Sequence, residues 1–279
     1  TPIQKWFFED DSIENQNHFN QAVLLKSAAR IQPEFLNRSL DELTKHHDAL
    51  RMTYTKVNSE WQQTNLNDKT QAYAYTFYDI SDSENVKKDI AKIGASHQRA
   101  INIADGAIVQ AIHFKLKDDD RLGLIIHHLV VDGVSWRILL EDLVTLYAGF
   151  ESGENPKLPL KTDSFQKWAA AQKVFSESAE LQLERAYWEG LNEYESLPVD
   201  FNQETEALEI NASSSFVLDI ETTELLQTKV HSVYNTEIND ILLTGLALAL
   251  KSVFGIGSAL LKLEGHGREE VIPNLDVTR

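Results

Sequence analysis

Apolar residues along the chain change period several times, and each change marks a predicted element. The run from Phe19 to Leu25 predicts a strand. Pro33 then stands where a helix opens, since proline suits a first helical position, and Leu36, Leu40 and Leu43 recur at helical spacing as its buried stripe. Residues 49–57 predict a second strand. From 108 to 116 the pattern alternates, placing Ile112, Phe114 and Leu116 on one face, and Asp118-Asp119-Asp120 makes a polar turn. Leu122 to Ile126 is a short continuous apolar run, the mark of a strand buried on both faces. Residues 135–147 predict a helix with Leu139, Leu140 and Leu143 inward. A loop rich in Gly, Pro and polar residues follows at 149–159, a candidate boundary between lobes. Beyond it, 165–191, 223–234 and 238–254 predict helices, the first packing through Trp168, Phe175, Tyr187 and Trp188. Residues 213–220 and 259–263 predict strands. Strands and helices mix without strict alternation, which predicts an α/β two-layer sandwich repeated in two lobes.

Composition narrows the function classes. The 279 residues suffice for one large domain or two lobes with separate cores. With 26 basic and 43 acidic residues the formal charge is −17, a field that repels phosphate backbones and anionic membrane surfaces. Neither a nucleic-acid nor a membrane partner is expected. The longest apolar candidate, 238–254, is broken by Asn239, Asp240, Thr244 and Lys251 and is too short to span a bilayer. Cysteine is absent, so disulfides, thiolate metal sites and thiol nucleophiles are excluded. That absence fits a cytoplasmic protein. The opening at Thr1-Pro2-Ile3 reads as the interior of a longer polypeptide.

Three constellations carry candidate chemistry. The first is His127-His128-Leu129-Val130-Val131-Asp132-Gly133, at the end of a predicted central strand and just before a helix, where α/β sites usually lie. Adjacent strand residues point to opposite faces, so only one histidine serves a given cavity. Neutral imidazole suits general-base work near neutral pH. Asp132 can orient an imidazole or hold the turn, and Gly133 permits backbone angles other residues resist. Standing alone, the pair reads as two core histidines and an Asp-Gly turn. The strand-end position and the continuation Val134-Ser135-Trp136 weaken that structural reading and leave both open. No third ligand stands at metal-site spacing, so no metal is expected.

The second is Glu264-Gly265-His266-Gly267-Arg268-Glu269. Glycines on both sides of a histidine allow close backbone approach, and Glu264, at the end of an apolar strand, could be carried into a cleft and serve as an acid or base. The same residues also fit a solvated loop with a surface Arg-Glu pair. The third is His46-His47-Asp48-Ala49-Leu50-Arg51, where Leu50 reads as core and Arg51 as a bidentate partner for a buried carboxylate, Asp132 being the candidate. A helix end carrying cationic residues is the other reading. Dinucleotide fingerprints, a P-loop, zinc-protease helices and a serine-hydrolase elbow are all missing from the sequence.

Pro2-Ile3-Gln4-Lys5-Trp6-Phe7, His127 to Gly133 continuing as Val134-Ser135-Trp136-Arg137-Ile138-Leu139, Tyr234 to Thr244, and Glu264 to Glu269 resemble, in this order, the motifs of epimerization domains of nonribosomal peptide synthetases. The resemblance covers essentially the whole chain. The His-His-x-x-x-Asp-Gly signature is shared by the wider condensation and acyltransferase superfamily, while Val-Ser-Trp and the Glu-Gly-His-Gly-Arg-Glu block look like epimerization.

The resemblance implies a chloramphenicol-acetyltransferase-like fold of two lobes in a V around a tunnel. Residues 1–175 would form the N-terminal lobe, and 176–279 the beginning of a second lobe that continues past Arg279 in the family. It implies His128 and Glu264 as the catalytic pair. His127, Asp132, Gly133 and Arg51 would support the site, and Ser135, Trp136, His266 and Arg268 would contact substrate or tunnel. The implied reaction is L-to-D inversion at the α-carbon of an aminoacyl or peptidyl thioester. The domain itself would bind no cofactor and no metal. A peptidyl carrier domain, just upstream in the same polypeptide, would deliver the phosphopantetheine arm, and adjacent synthetase modules would be the other partners. A condensation-type acyltransferase in which His128 activates an amine, and a carrier-binding module without chemistry, remain the alternatives.

Overall fold

A computed structural model of the chain describes residues 1–191, 194, 196–198, 213–268 and 270–279. The chain divides into two compact units, Thr1–Glu177 together with Gly265–Arg279, and Ser178–Glu264. The tail Gly265–Arg279 joins the first unit rather than the second.

The first unit is built on a four-stranded sheet. In chain order it contains α1 (Pro2–Glu9), β1 (Asn20–Ser27), α2 (Pro33–His46), β2 (Met52–Val57), β3 (Glu60–Asn65), β4 (Tyr73–Asp79), α3 (Val86–Ala100), β5 (Val109–Lys115), β6 (Asp120–His127), α4 (Gly133–Glu151) and α5 (Phe165–Ser176). The sheet order is β1-β6-β5-β4, with β4 and β5 parallel and the other neighbours antiparallel. Strands β2 and β3 form a separate hairpin. Its two-residue turn, Asn58-Ser59, has φ of 49° and 69°, the left-handed pair that matches strand twist in a tight hairpin.

Register decides which face each residue serves. Val109 pairs with Ile126, Ala111 with Leu124 and His113 with Leu122, so these share one face. On β1, Gln21, Val23 and Leu25 stand opposite Ile126, Leu124 and Leu122 and join that face. Tyr73, opposite Val109, donates its hydroxyl to Asp41 of α2, so α2 covers this side, with α4 packed beside it. The other face meets α3: Tyr78 bonds His97, His97 bonds Gln110, and Asn20 donates to the Gln98 carbonyl. Leu36, Leu40, Leu43, Ile112, Phe114, Leu124, Leu139, Leu143 and Leu146 belong to one buried cluster. At about 25 cal/mol per Å² of apolar surface, that cluster is the main stabilising term of the unit.

The predicted strand over 49–57 starts instead with a 3₁₀ turn, Asp48–Arg51, before β2. The long predicted helix over 165–191 is two helices, α5 and α6 (Ala179–Gly190). The break is local chemistry: Ser178 caps α6 by accepting from the Leu181 N–H.

The second unit also contains α7 (Ile220–Gln227), α8 (Lys229–Tyr234) and α9 (Ile238–Phe254). Helix α9 has the predicted bounds and ends at Gly255, whose φ of 72° suits a glycine terminator. The strands predicted over 213–220 and 259–263 are not formed. A strand exists through its ladder, and no described segment pairs with either. Phe216 and Val217 are 87% and 93% exposed. No helix among the described residues is long and apolar enough to cross a membrane.

Candidate active site

The two histidines lie at the end of β6 and face opposite ways, as strand alternation requires. His127 stands opposite Asn20 on the α3 side and has no exposed surface. Its Nε2 donates to the Gln16 carbonyl at 2.8 Å, and its Nδ1 accepts from the Leu129 N–H at 3.2 Å. Both nitrogens are therefore used, and the ring packs edge-on against Phe7. Burial pushes its pKa down to about 4, which keeps it neutral.

His128 follows on the face of α2 and α4, half-buried rather than sealed. Its backbone N–H donates to the Phe19 carbonyl, and the Phe19 ring stacks on the imidazole at 5.2 Å and 12°. Nδ1 lies 2.8 Å from the Val131 carbonyl, which only accepts, so Nδ1 carries the proton. In the neutral ring, Nε2 then holds the lone pair. The amide of Gln21 meets it at 3.1 Å. This is the arrangement of a general base: one nitrogen oriented by a backbone acceptor, the other available to a reacting proton.

Asp132 caps α4. One carboxylate oxygen accepts from the Ser135 N–H and hydroxyl, each at 2.7 Å. Arg268 completes the turn, donating to Ser135 Oγ at 3.1 Å and approaching Asp132 at 3.8 Å. The expected Asp132–Arg51 pairing is not formed. Arg51 donates to the carbonyls of Thr44, Lys45 and Leu66 and pairs with Asp48, so its guanidinium is spent closing the end of α2. Asp132 is 41% exposed at its side chain, so it is not a buried ion-pair carboxylate. Gly133 is corrected too. It is the first residue of α4, an added Cβ would meet open space, and its φ is not positive. The backbone freedom expected of a glycine is used instead at Gly267, with φ of 65°.

Trp136 is buried and donates its indole N–H to Gln21 Oε1 at 2.8 Å. The Arg268 N–H donates to His266 Nδ1 across Gly267. Glu264 is exposed and is the last residue of the second unit. Glu269 lies outside the described residues. The structure thus joins the first motif to Arg268 and places Arg51 in a different cluster.

The tail that carries Arg268 is tied down at several points. Arg268 donates to the Val277 carbonyl, Asp276 and Asp163 exchange two hydrogen bonds, and Thr162 donates to the Arg279 carbonyl. Arg279 then reaches Asp142 at 2.5 Å. His46, His47 and Asp142 bring ligand-type atoms within 4.8 Å of one another. Both Asp142 oxygens are already engaged, one by Arg279 and one by His47 at 2.8 Å. The group is a charge-compensated brace between α2, α4 and the tail.

Two residues at His128 carry no local sequence signature, Phe19 and Gln21. The available hint was a polar residue on the inward-facing period of a strand, which pattern alone does not connect to a histidine 107 positions later.

The condensation-domain profile matches residues 1–279. The chain belongs to the condensation-domain family. It is 40% identical over 283 residues to surfactin synthase subunit 1 of Bacillus subtilis (strain 168), a match covering all of this chain and 8% of that protein. It is 38% identical over 283 residues to gramicidin S synthase 1 of Brevibacillus brevis, covering all of this chain and 26% of that protein. The chain therefore spans between 8% and 26% of the length of these synthetase relatives. The solved epimerization domain from the third module of tyrocidine synthetase B has a TM-score of 0.91 at 37% identity, over 100% of this chain and 63% of that one. The first condensation domain of the calcium-dependent antibiotic synthetase has a TM-score of 0.69 at 18% identity, over 91% and 61%, a likeness of fold. The fold is the chloramphenicol-acetyltransferase-like α/β fold of these condensation and epimerization domains.

Proposed function

We propose that this condensation-family domain inverts the α-carbon of an aminoacyl or peptidyl thioester held on a carrier domain's phosphopantetheine arm. The observation that carries the reading is the half-buried His128, whose Nδ1 is committed to the Val131 carbonyl and whose Nε2 keeps its lone pair, met among the described residues only by the Gln21 amide that a substrate proton can displace. Its support is the Glu264–Arg268 block and the 37% identity to an epimerization domain over the whole chain.

A thioester acidifies its α-proton by stabilising the enolate left behind. In the proposed reaction one group takes the proton from one face and another returns a proton to the opposite face. His128 Nε2 and the Glu264 carboxyl are assigned these two roles. The carrier domain lies in the same polypeptide, the domain holds no metal of its own, and the protein is cytoplasmic.

The test is incubation of the loaded carrier with the full synthetase in deuterated water. Deuterium entering the α-position without any amine acceptor supports epimerization. Amide formation that needs an acceptor, without α-exchange, replaces it with condensation. That second reading is favoured by the family itself, because proton abstraction from an amine uses the same His128 lone pair. Carrier binding with neither outcome would make the domain a docking module.

A further inference from the structure

Gln21 sits on β1 with its Cα opposite Ile126, so it shares a face with His128 two residues further on. Its amide orientation is fixed by chemistry rather than by convention. The Trp136 indole N–H can only donate, and it meets Gln21 Oε1 at 2.8 Å. Gln21 therefore turns its NH₂ toward His128 Nε2, 3.1 Å away. On the far side of the ring, Nδ1 can only donate to the Val131 carbonyl. The four groups form a one-way chain of donors: indole to amide, amide to Nε2, and Nδ1 to carbonyl. Every link fits one protonation state of His128, the neutral ring with its proton on Nδ1.

We propose that Gln21 is a positioning residue for proton transfer: held by Trp136, it presets His128 in the base form and holds the Nε2 lone pair until the substrate proton arrives. This rests on the role given to His128 above. When substrate binds, the amide N–H yields its place at Nε2 to the Cα–H bond; that bond breaks, the proton moves to Nε2, and the electron pair stays on the thioester enolate. Phe19, stacked on the ring, keeps its plane fixed through the exchange.

A space-filling role and this one predict opposite orders for two variants. Gln21→Glu keeps the size and the Trp136 bond but replaces the donor at Nε2 with a carboxylate oxygen. Two lone pairs then oppose each other unless the ring holds a proton on both nitrogens, so the base form is withdrawn. Gln21→Ala removes the preset and leaves the lone pair free. In the full synthetase, kcat for α-deuterium exchange is expected to fall about tenfold in Gln21→Ala and on the order of a hundredfold in Gln21→Glu, with KM little changed. Gln21→Glu near wild type, with Gln21→Ala below it, overturns the proposal.

His128→Ala is run beside them. If it keeps normal exchange, the role of His128 fails. The Gln21 contact is then judged by imidazole C2–H exchange at His128, followed by mass spectrometry on the intact synthetase. A midpoint moved to higher pH in Gln21→Glu, and by less in Gln21→Ala, upholds the Gln21–His128 contact; a midpoint unmoved in Gln21→Glu overturns it.

Discussion

The two units differ in what their apolar residues meet. In the first, Leu124 on the sheet face that meets α2 and α4, Ile112 and Phe114 on the face that meets α3, and Leu139, Leu143 and Leu146 of α4 belong to one cluster, and all are nearly inaccessible. In the second, α9 is just as apolar in sequence, yet Leu242, Leu246, Leu248 and Val253 remain exposed. Two sequences of similar hydrophobicity thus have different status, because among the described residues only the first unit has a sheet for its helices to lie on. The difference separates the parts of the chain that hold chemistry rigidly from those whose apolar positions contribute little within the unit. His128 takes its orientation from the sheet unit, through Phe19, Gln21 and Val131.

The largest expected effect asks whether chemistry is confined to the first unit. His128→Ala and Glu264→Ala should each lower α-proton exchange by about a hundredfold to ten-thousandfold with folding retained. Full exchange by Glu264→Ala, measured by deuterium uptake, would confine the chemistry to the sheet unit.

The contrast in packing comes next. Phe114→Ala should cost about 3–5 kcal/mol in denaturant unfolding, because Phe114 is 1% exposed within the cluster. Leu248→Ala, at a residue 63% exposed, should stay within about 0.5 kcal/mol. Equal costs would erase the comparison.

The buried histidine adds a pH dependence to the first unit. Native His127 stays neutral down to about pH 4, while the unfolded chain takes up a proton near 6.5. Its contribution is complete above about pH 6.5 and is lost as pH falls toward 4, because the unfolded state binds the extra proton. That amounts to about 3 kcal/mol across the window. His127→Asn should flatten the slope of stability by about one proton there; an unchanged slope removes His127 as its source.

The smallest effect belongs to the turn after the histidines. Asp132→Ala removes the cap of α4 and should lower stability by about 1 kcal/mol, far less than loss of a buried ion-pair partner. A loss of several kcal/mol by thermal unfolding would mean that Arg268 and Ser135 depend on Asp132 more than its half-exposed position indicates.

Periodicity alone located most of the helices and the sheet strands β1, β5 and β6. It missed β3 and β4, where polar residues such as Gln62, Gln63 and Thr76 mask the alternation. It overread 213–220 and 259–263, since β-branched and apolar residues make a strand only beside a partner. The motif residues were legible because the His-His-x-x-x-Asp-Gly run is local. Their partners were not. Arg51 looked suitable for Asp132 by charge, whereas Arg268 holds that place because the tail is tied to the first unit through Asp163, Thr162 and Asp142.

By itself the sequence determined which faces of its strands and helices are apolar, the bounds of α9, and that adjacent histidines at a strand end point opposite ways. These follow from the fixed geometry of a strand or helix, which acts over a few residues. Only the tertiary structure decided that His128 is the half-buried ring and that Gln21 and Trp136 address its Nε2. It also decided that Arg268 rather than Arg51 stands at Asp132. Those outcomes depend on sheet register, which places residue 21 beside residue 128. Register is set by burial summed over whole strands rather than by any short stretch of sequence.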